Sequence, residues 1–235
     1  MNTTQGVLAV ITARGGSKGL LRKNIIPLNG LPLITWTVRA ALAARCVERV
    51  VVSTENEEIA DAAKEAGAEV PFMRPQELAT DTASSVDVMM HALDVLPRYD
   101  QAVLLQPTSP FRTAADLDNG YKLWQATPDA GGCVSVCTAT ESPWLMFDSD
   151  SSGRLARILP LPSGNLRRQD LPKVLVLNGA FYFIDVKRFR KEKKLVFNDS
   201  LGFEIPLERS HDIDTLEEFI AAEKFAKQTE MTGQI

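Results

Sequence analysis

Four cations within ten residues, Arg14, Lys18, Arg22 and Lys23, lie in and just after the glycine-rich stretch Thr12-Ala-Arg-Gly-Gly-Ser-Lys-Gly19, which directly follows the apolar run Val7 to Ile11. The first acid of the chain is Glu48, so six Lys or Arg precede any carboxylate, in a protein with 26 basic and 30 acidic residues and a net charge of -4. The basicity is local. A strand that ends in Gly15-Gly16-Ser17 exposes consecutive backbone N–H groups, because residues without a side chain allow positive φ and close approach. To such an anion cradle Lys18 adds a mobile charge and Arg14 a forked one, a combination suited to a polyphosphate. The plainer alternative is a turn whose lysines face water; the density of cations with no nearby acid favours the anion site. The stretch is neither the GxxxxGK[ST] loop of ATPases nor GxGxxG.

A pair of acids stands near the other end, in His211-Asp-Ile-Asp-Thr215. If this segment is extended, a period of two puts Asp212 and Asp214 on one side and Ile213 in the core. Two carboxylates on one face suit Mg²⁺, a hard cation that takes carboxylate, water and phosphate oxygens. Acids before a helix also favour its dipole, and taken alone the two readings stand even. Beside a polyphosphate cradle the metal reading gains, because a triphosphate substrate needs a divalent ion.

These candidates need a scaffold. Val7–Thr12, 49–53 and 102–106 are short β-branched or apolar runs, each followed by turn chemistry and then by a helical pattern at 32–45, 57–66, 84–96 or 113–125. Thr113 with Asp116, and Thr215 with Glu218 ahead of a helix to about 228, have capping-box spacing. The alternation predicts an α/β fold with three layers around a mostly parallel, Rossmann-like sheet. Ligands in such sheets sit beyond the carboxyl ends of the strands, so the cationic loop, Ser53-Thr54 and Gln106-Pro-Thr-Ser-Pro110 should open onto one cleft. After Cys133 the pattern changes to short strands at 134–139, 144–148 and 154–159, and the main fold resumes at 180–185. Residues 1–235 are therefore expected to form a single domain with a small β-rich excursion at about 140–176. An excursion of this length suits a subunit interface or part of a substrate site, and Trp144-Leu-Met-Phe147 is apolar enough for a buried one.

Composition narrows the function classes. An apolar content of 45% is ample for a core. No apolar run approaches the ~20 residues that cross a membrane, and the acidic balance argues against nucleic acid. Three cysteines cannot pair completely and only two histidines are present, so a zinc site lacks ligands. A soluble, cytoplasmic protein with buried free thiols is expected.

Several segments together carry a family resemblance. Thr12-Ala-Arg-Gly-Gly-Ser-Lys-Gly19, Lys23-Asn24, Arg74-Pro75, Asp81-Thr-Ala-Ser-Ser85, Leu105-Gln-Pro-Thr-Ser-Pro110, Arg168-Gln-Asp-Leu-Pro172, Asn178-Gly-Ala180 and Asp212-Ile-Asp214 run in the order of the acylneuraminate cytidylyltransferase (CMP-sialic acid synthetase) family, which the chain resembles over nearly its whole length. The resemblance implies a nucleotide-diphospho-sugar-transferase-like fold. It also implies CMP transfer from CTP to the anomeric hydroxyl of a sialic acid or related nonulosonic acid, with release of pyrophosphate. On that basis Arg14, Gly15, Gly16, Ser17, Lys18, Lys23 and Asn24 bind the triphosphate, and Arg74, Ala83 and Ser85 hold the cytidine. Gln106 and Arg168 serve the sugar acid, Asp212 and Asp214 hold magnesium, and the protein is a homodimer. Arg14, Lys18, Asp212 and Asp214 would carry the charge stabilisation of an in-line displacement.

The chain departs from the family on the sugar side. Ser142-Pro-Trp-Leu145 replaces a His-Pro-aromatic-Lys segment, and an aromatic pair is replaced by Leu195-Val196 with Phe197 alongside, so Phe197 is taken as a sugar contact. The nonulosonic acid used therefore stays open. A CMP-Kdo synthetase, and a catalytically silent nucleotide-binding regulatory subunit, are the two rival readings.

Overall fold

The computed structural model describes residues 6–17, 19–162 and 167–229, with only the backbone of Arg168. In chain order the strands and helices are β1 (Val7–Thr12), the two-residue strands β2 (Pro27–Leu28) and β3 (Leu31–Pro32), α1 (Leu33–Ala43), β4 (Val47–Ser53), α2 (Glu57–Glu65), α3 (Ser85–Val95), β5 (Gln101–Leu105), α4 (Ala114–Gln125), β6 (Gly132–Thr138), β7 (Phe147–Ser149), β8 (Leu155–Arg157), β9 (Leu175–Asp185), α5 (Val186–Glu192), β10 (Leu201–Glu204) and α6 (Leu216–Gln228).

Six strands form one sheet in the order β10-β6-β9-β5-β1-β4. Pairing is parallel for β1 with β4 and β5 and for β10 with β6, whereas β9 runs antiparallel to both β5 and β6. The sheet is thus mostly parallel with one reversed strand. β1 shows why it is buried on both sides: Val7, Ala9 and Ile11 pack with Ile34, Val38, Ala63 and Leu117 on one face. Leu8 and Val10 pack with Met89, Leu93 and Phe189 on the other. A strand covered on both faces reads as an uninterrupted apolar run.

Both expected capping boxes form, at Thr113/Asp116 and Thr215/Glu218. The sequence reading did not include α5, a single charged helical segment of seven residues, or β10, a half-exposed edge strand containing Gly202. It also began β9 five residues too late. Asn178-Gly179 is no turn before a strand. It lies inside β9, where Tyr182 pairs with Val134 and Leu177 with Val136, so β9 bulges at this point.

The excursion contains a separate two-stranded sheet, β7 with β8. A third apolar cluster sets α6: Phe111 is fully buried, edge-on to Trp36 at 5.6 Å and in ring contact with His211 and Phe225. This cluster also takes Ile213, which fixes where its flanking aspartates emerge. Replacing Phe111 by Ala is expected to cost about 3–5 kcal/mol in urea unfolding, because the ring fills a site that cannot collapse around the loss.

Candidate active site

Four segments line one cleft beyond the carboxyl ends of β1 and β5. Thr12, Arg14, Ser17, Lys23 and Asn24 come from the glycine-rich loop, Arg74, Leu78, Thr80, Asp81, Ala83 and Ser85 from the stretch leading into α3, which adds Val88. Gln106, Pro107 and Thr108 follow β5, and Asp212 and Asp214 precede α6. The cationic and acidic segments, some 190 residues apart in sequence, meet directly: Lys23 Nζ donates to Asp214 Oδ1 at 2.5 Å (|i−j| = 191). Gly19 permits this approach, since a Cβ there would lie 2.3 Å from the Asp214 carbonyl oxygen.

The loop is held in place by its own backbone as well. Asn24 Nδ2 donates to Arg14 O at 2.9 Å, and the Ser17 N–H to Gly15 O. Neither Gly15 nor Gly16 uses a positive φ. The Gly15 N–H donates to Glu55 Oε1 at 2.6 Å, so an internal carboxylate occupies part of the expected cradle. The other oxygen of Glu55 is buried with no hydrogen-bond partner among the described residues. Across the cleft Arg14 Nη1 donates to Asp81 Oδ1 at 2.8 Å, both side chains being part-exposed. Arg22 turns outward to Glu58 instead.

Arg74 is the buried cation beneath the loop. Its Nε donates to Ser53 Oγ, Nη2 to the Ala13 and Ser53 carbonyls, and Nη1 to Leu78 O. One of its five N–H groups is left for a ligand. Burial lowers its pKa, with Glu55 opposing that shift and Arg14 adding to it. Ser53 and Thr54 were expected to open onto the cleft. Both are fully buried instead and act through Arg74, whose backbone N–H also bonds Thr54 O at 2.8 Å. Ser84 caps α3 by accepting from the Asp87 N–H, which leaves Ser85, the first helical residue, facing the cleft.

On the acidic side Ile213 is fully buried and its two neighbours point into the cleft, as the period of two requires. The Ile213 N–H donates to Thr108 O at 2.9 Å, which sets Thr108 beside the acidic pair. Desolvation raises the Asp212 pKa, as does the negative charge of Asp214 nearby, while Thr108 and Lys23 oppose the shift. Among the described residues no group of three or more Asp, Glu, His or Cys could cage a metal. Two carboxylates facing a phosphate-sized cleft still fit Mg²⁺, which keeps waters and takes substrate oxygens for its remaining positions.

The structure thus brings together Arg14, Ser17, Lys23, Asn24, Arg74, Ala83, Ser85, Gln106, Asp212 and Asp214, with Gly15 and Gly16 in the loop between them. Lys18 and the Arg168 side chain lie outside the described residues. Phe197 does not reach the cleft. It is 5% exposed in the core with Ile184 and Phe189, near the end of β9 opposite the cleft, and the Arg188 guanidinium covers its ring at 4.3 Å. Neither histidine lines the cleft, and His211 packs between Phe111 and Phe225. The sequence reading placed the Gln106–Pro110 turn, with Thr108 in it, at the cleft and missed Glu55. No spacing signal marks Glu55, whose contact with the Gly15 N–H joins segments 40 residues apart.

A cytidylyltransferase family model matches residues 8–122. An N-acylneuraminate cytidylyltransferase of Escherichia coli is 33% identical over 91% of this chain and 50% of its own length. A CMP-N,N'-diacetyllegionaminic acid synthase of Legionella pneumophila is 34% identical over 93% of this chain and 95% of its own. The chain belongs to the acylneuraminate cytidylyltransferase family. It spans half the length of the E. coli relative and nearly all of the Legionella one. A CMP:2-keto-3-deoxy-manno-octonic acid synthetase complexed with CTP superposes with a TM-score of 0.73 over 96% of this chain and 100% of that one, at 17% identity, so it shares the fold.

Asp212→Ala is expected to leave the thermal midpoint near the wild-type value. Divalent-ion-dependent turnover should fall on the order of 100-fold or more, with weaker Mn²⁺ binding by titration; near-normal turnover would remove Asp212 from the metal site.

Proposed function

We propose that this chain is a cytidylyltransferase that moves CMP from CTP to the anomeric hydroxyl of a nonulosonic acid and releases pyrophosphate. One observation carries the reading: the glycine-rich cationic loop and the Asp212/Asp214 pair share a single cleft with Gln106. Family membership and relatives named for acylneuraminate and legionaminate chemistry support it.

In this reading Arg14, Lys18 and Lys23 neutralise the triphosphate and the departing pyrophosphate, while Ser17 and Asn24 hold it in line. The in-line displacement needs no covalent enzyme intermediate, so positioning and charge stabilisation are the protein's task. Arg74, Ala83 and Ser85 seat the cytidine, and the single free N–H of Arg74 restricts it to one bond there. Gln106 faces the sugar acid. Arg168 serves its carboxylate, for which a planar guanidinium supplies two parallel donors. Asp212 and Asp214 would hold magnesium, whose chemistry when bound is to neutralise phosphate oxygens and acidify the attacking hydroxyl. A Kdo-using enzyme ranks lower, because the likeness to that branch is one of fold at 17% identity. A silent regulatory subunit has no use for the retained acidic pair.

The homodimer is supported by the excursion and the strand that leaves it. Leu145, Met146, Phe147, Leu155, Ile158, Leu159, Leu175, Val176 and Leu177 are all exposed, which is costly unless covered. A second copy covers them in this reading, and Arg168, at the end of the excursion, then acts in its own or the neighbouring cleft. The buried or half-buried free thiols of Cys46, Cys133 and Cys137 suit the reducing cytoplasm, where CTP is made. Among the described residues no helix is long and apolar enough to cross a membrane.

Two measurements test the proposal. Purified protein with CTP and Mg²⁺ should release pyrophosphate with at least one acid from a panel of neuraminate, legionaminate, pseudaminate and Kdo. Release with Kdo alone would move the chain to the other branch, and CTP binding without release from any acid would favour the silent subunit. In sedimentation equilibrium the wild type should be a dimer and the double variant Leu155→Glu, Ile158→Glu a monomer; a monomeric wild type removes the dimer.

A further inference from the structure

Arg112 is a cation buried beneath the turn that carries Gln106. It is 1% exposed, and among the described residues no carboxylate contacts it. Asp116, the charge that acts on it from further away, is already taken by Arg209 and by the cap of α4. Burial pulls the guanidinium down to about 9, so it remains charged at neutral pH. A cation without a contacting partner is costly to bury, and an apolar side chain of the same length would fill the space without that cost.

What an apolar side chain lacks is the fork. Arg112 Nε donates to Ala180 O at 2.5 Å, Nη1 to Thr37 Oγ1 at 2.6 Å and Nη2 to Gln106 O. One planar group thereby ties β9, α1 and the turn after β5. The turn matters because it carries cleft residues at both ends. At one end Gln106 rests on β9: Gly179 has φ +74°, and a Cβ there would lie 2.6 Å from Gln106 Oε1 and 3.0 Å from Ser109 Oγ. At the other, Thr108 lines the cleft beside Asp212 and its carbonyl accepts the Ile213 N–H at 2.9 Å. Ser109 closes the arrangement by donating to Asn178 O at 3.0 Å.

We propose that Arg112 is a positioning residue for the acceptor half of the cleft: without touching substrate, it pins the Gln106–Thr108 turn against β9 and so sets where the sugar acid is held. This rests on the reading of the cleft as a CTP and sugar-acid site, with Gln106 on the sugar side. A planar fork serving three elements also explains why lysine, a point charge with tetrahedral donors, is no substitute.

The test compares wild type, Arg112→Met and Arg112→Lys by thermal melting, by KM for CTP and for the acid that the wild type uses, and by hydrogen exchange. Both variants should raise the sugar KM about tenfold or more with the CTP KM at its wild-type value, since misplacing one contact by an ångström suffices. Exchange should accelerate at the Ser109 amide, which bonds Gln106 O, while residues 13–24 keep their wild-type rates. Equal rises in both KM values, or a lowered melting midpoint with wild-type kinetics, would overturn the proposal. If Arg112→Met does not fold, Thr37→Val removes one acceptor away from the cleft and should raise the sugar KM about threefold; a folded Thr37→Val protein with wild-type sugar KM overturns it equally. Should the wild type turn over no acid at all, the functional reading fails by itself. The exchange rate at Ser109 then still decides whether Arg112 holds the turn.

Discussion

Opposite charges facing one another across a single rim constrain everything else in this molecule. The loop after β1 brings cations with no acid of its own, and the segment before α6 brings two carboxylates. Gly19 lets the two backbones touch, and Lys23 closes the gap to Asp214. Within the cleft Lys23 pairs with Asp214 and Arg14 with Asp81, and the Gly15 N–H donates to Glu55. Part-exposed ion pairs contribute about 0–1 kcal/mol each, so they order the side chains without resisting exchange for a more highly charged partner. Under the proposed function a polyphosphate with a divalent ion would offer such an exchange, the anion pairing with the cations and the aspartates holding the metal.

Two arginines that are largely withdrawn from water provide the rigidity this arrangement needs. Arg74 spends most of its donors on Ala13, Ser53 and Leu78, holding the ends of β1 and β4 together under the glycine-rich loop. Arg112 does the equivalent under the turn after β5 with Gln106, Ala180 and Thr37. In both cases the acceptors are mainly backbone carbonyls, of Ala13, Ser53 and Leu78 for one and of Ala180 and Gln106 for the other, joined by one hydroxyl each. The guanidinium fixes loop geometry through them. Loops built in this way hold their side chains in place before substrate arrives, which is where positional catalysis gets its advantage.

Local pattern was sufficient where one element answers to one kind of force. Val7–Thr12 reads as a doubly buried strand because every residue in it is apolar or β-branched. Thr113 with Asp116 and Thr215 with Glu218 announce helix starts because capping is decided within four residues. The glycine-rich loop, the alternation around Ile213 and the turn at Gln106 were legible for the same reason, and so was their meeting at the carboxyl edge of a parallel sheet. Phe197 was misjudged because an aromatic next to a suspected pocket looks the same in sequence as one packed under an arginine in the core. β9 was begun late because Asn178-Gly179 has the composition of a turn, while the strand runs through it as a bulge.

The order of residues by itself determined the fold class, the strands and helices that hold the cleft, and the chemical character of its two halves, since these depend on spacing of a few residues and on local charge. Tertiary structure alone decided that β9 runs against its neighbours, that Lys23 reaches Asp214, that Glu55 answers Gly15 and that Arg112 grips the Gln106 turn. The contacts of Lys23 and Glu55 span 191 and 40 residues, and Arg112 reaches 68 residues to Ala180 and 75 to Thr37 while holding the nearby turn, so they follow from how whole layers pack rather than from any periodicity along the chain.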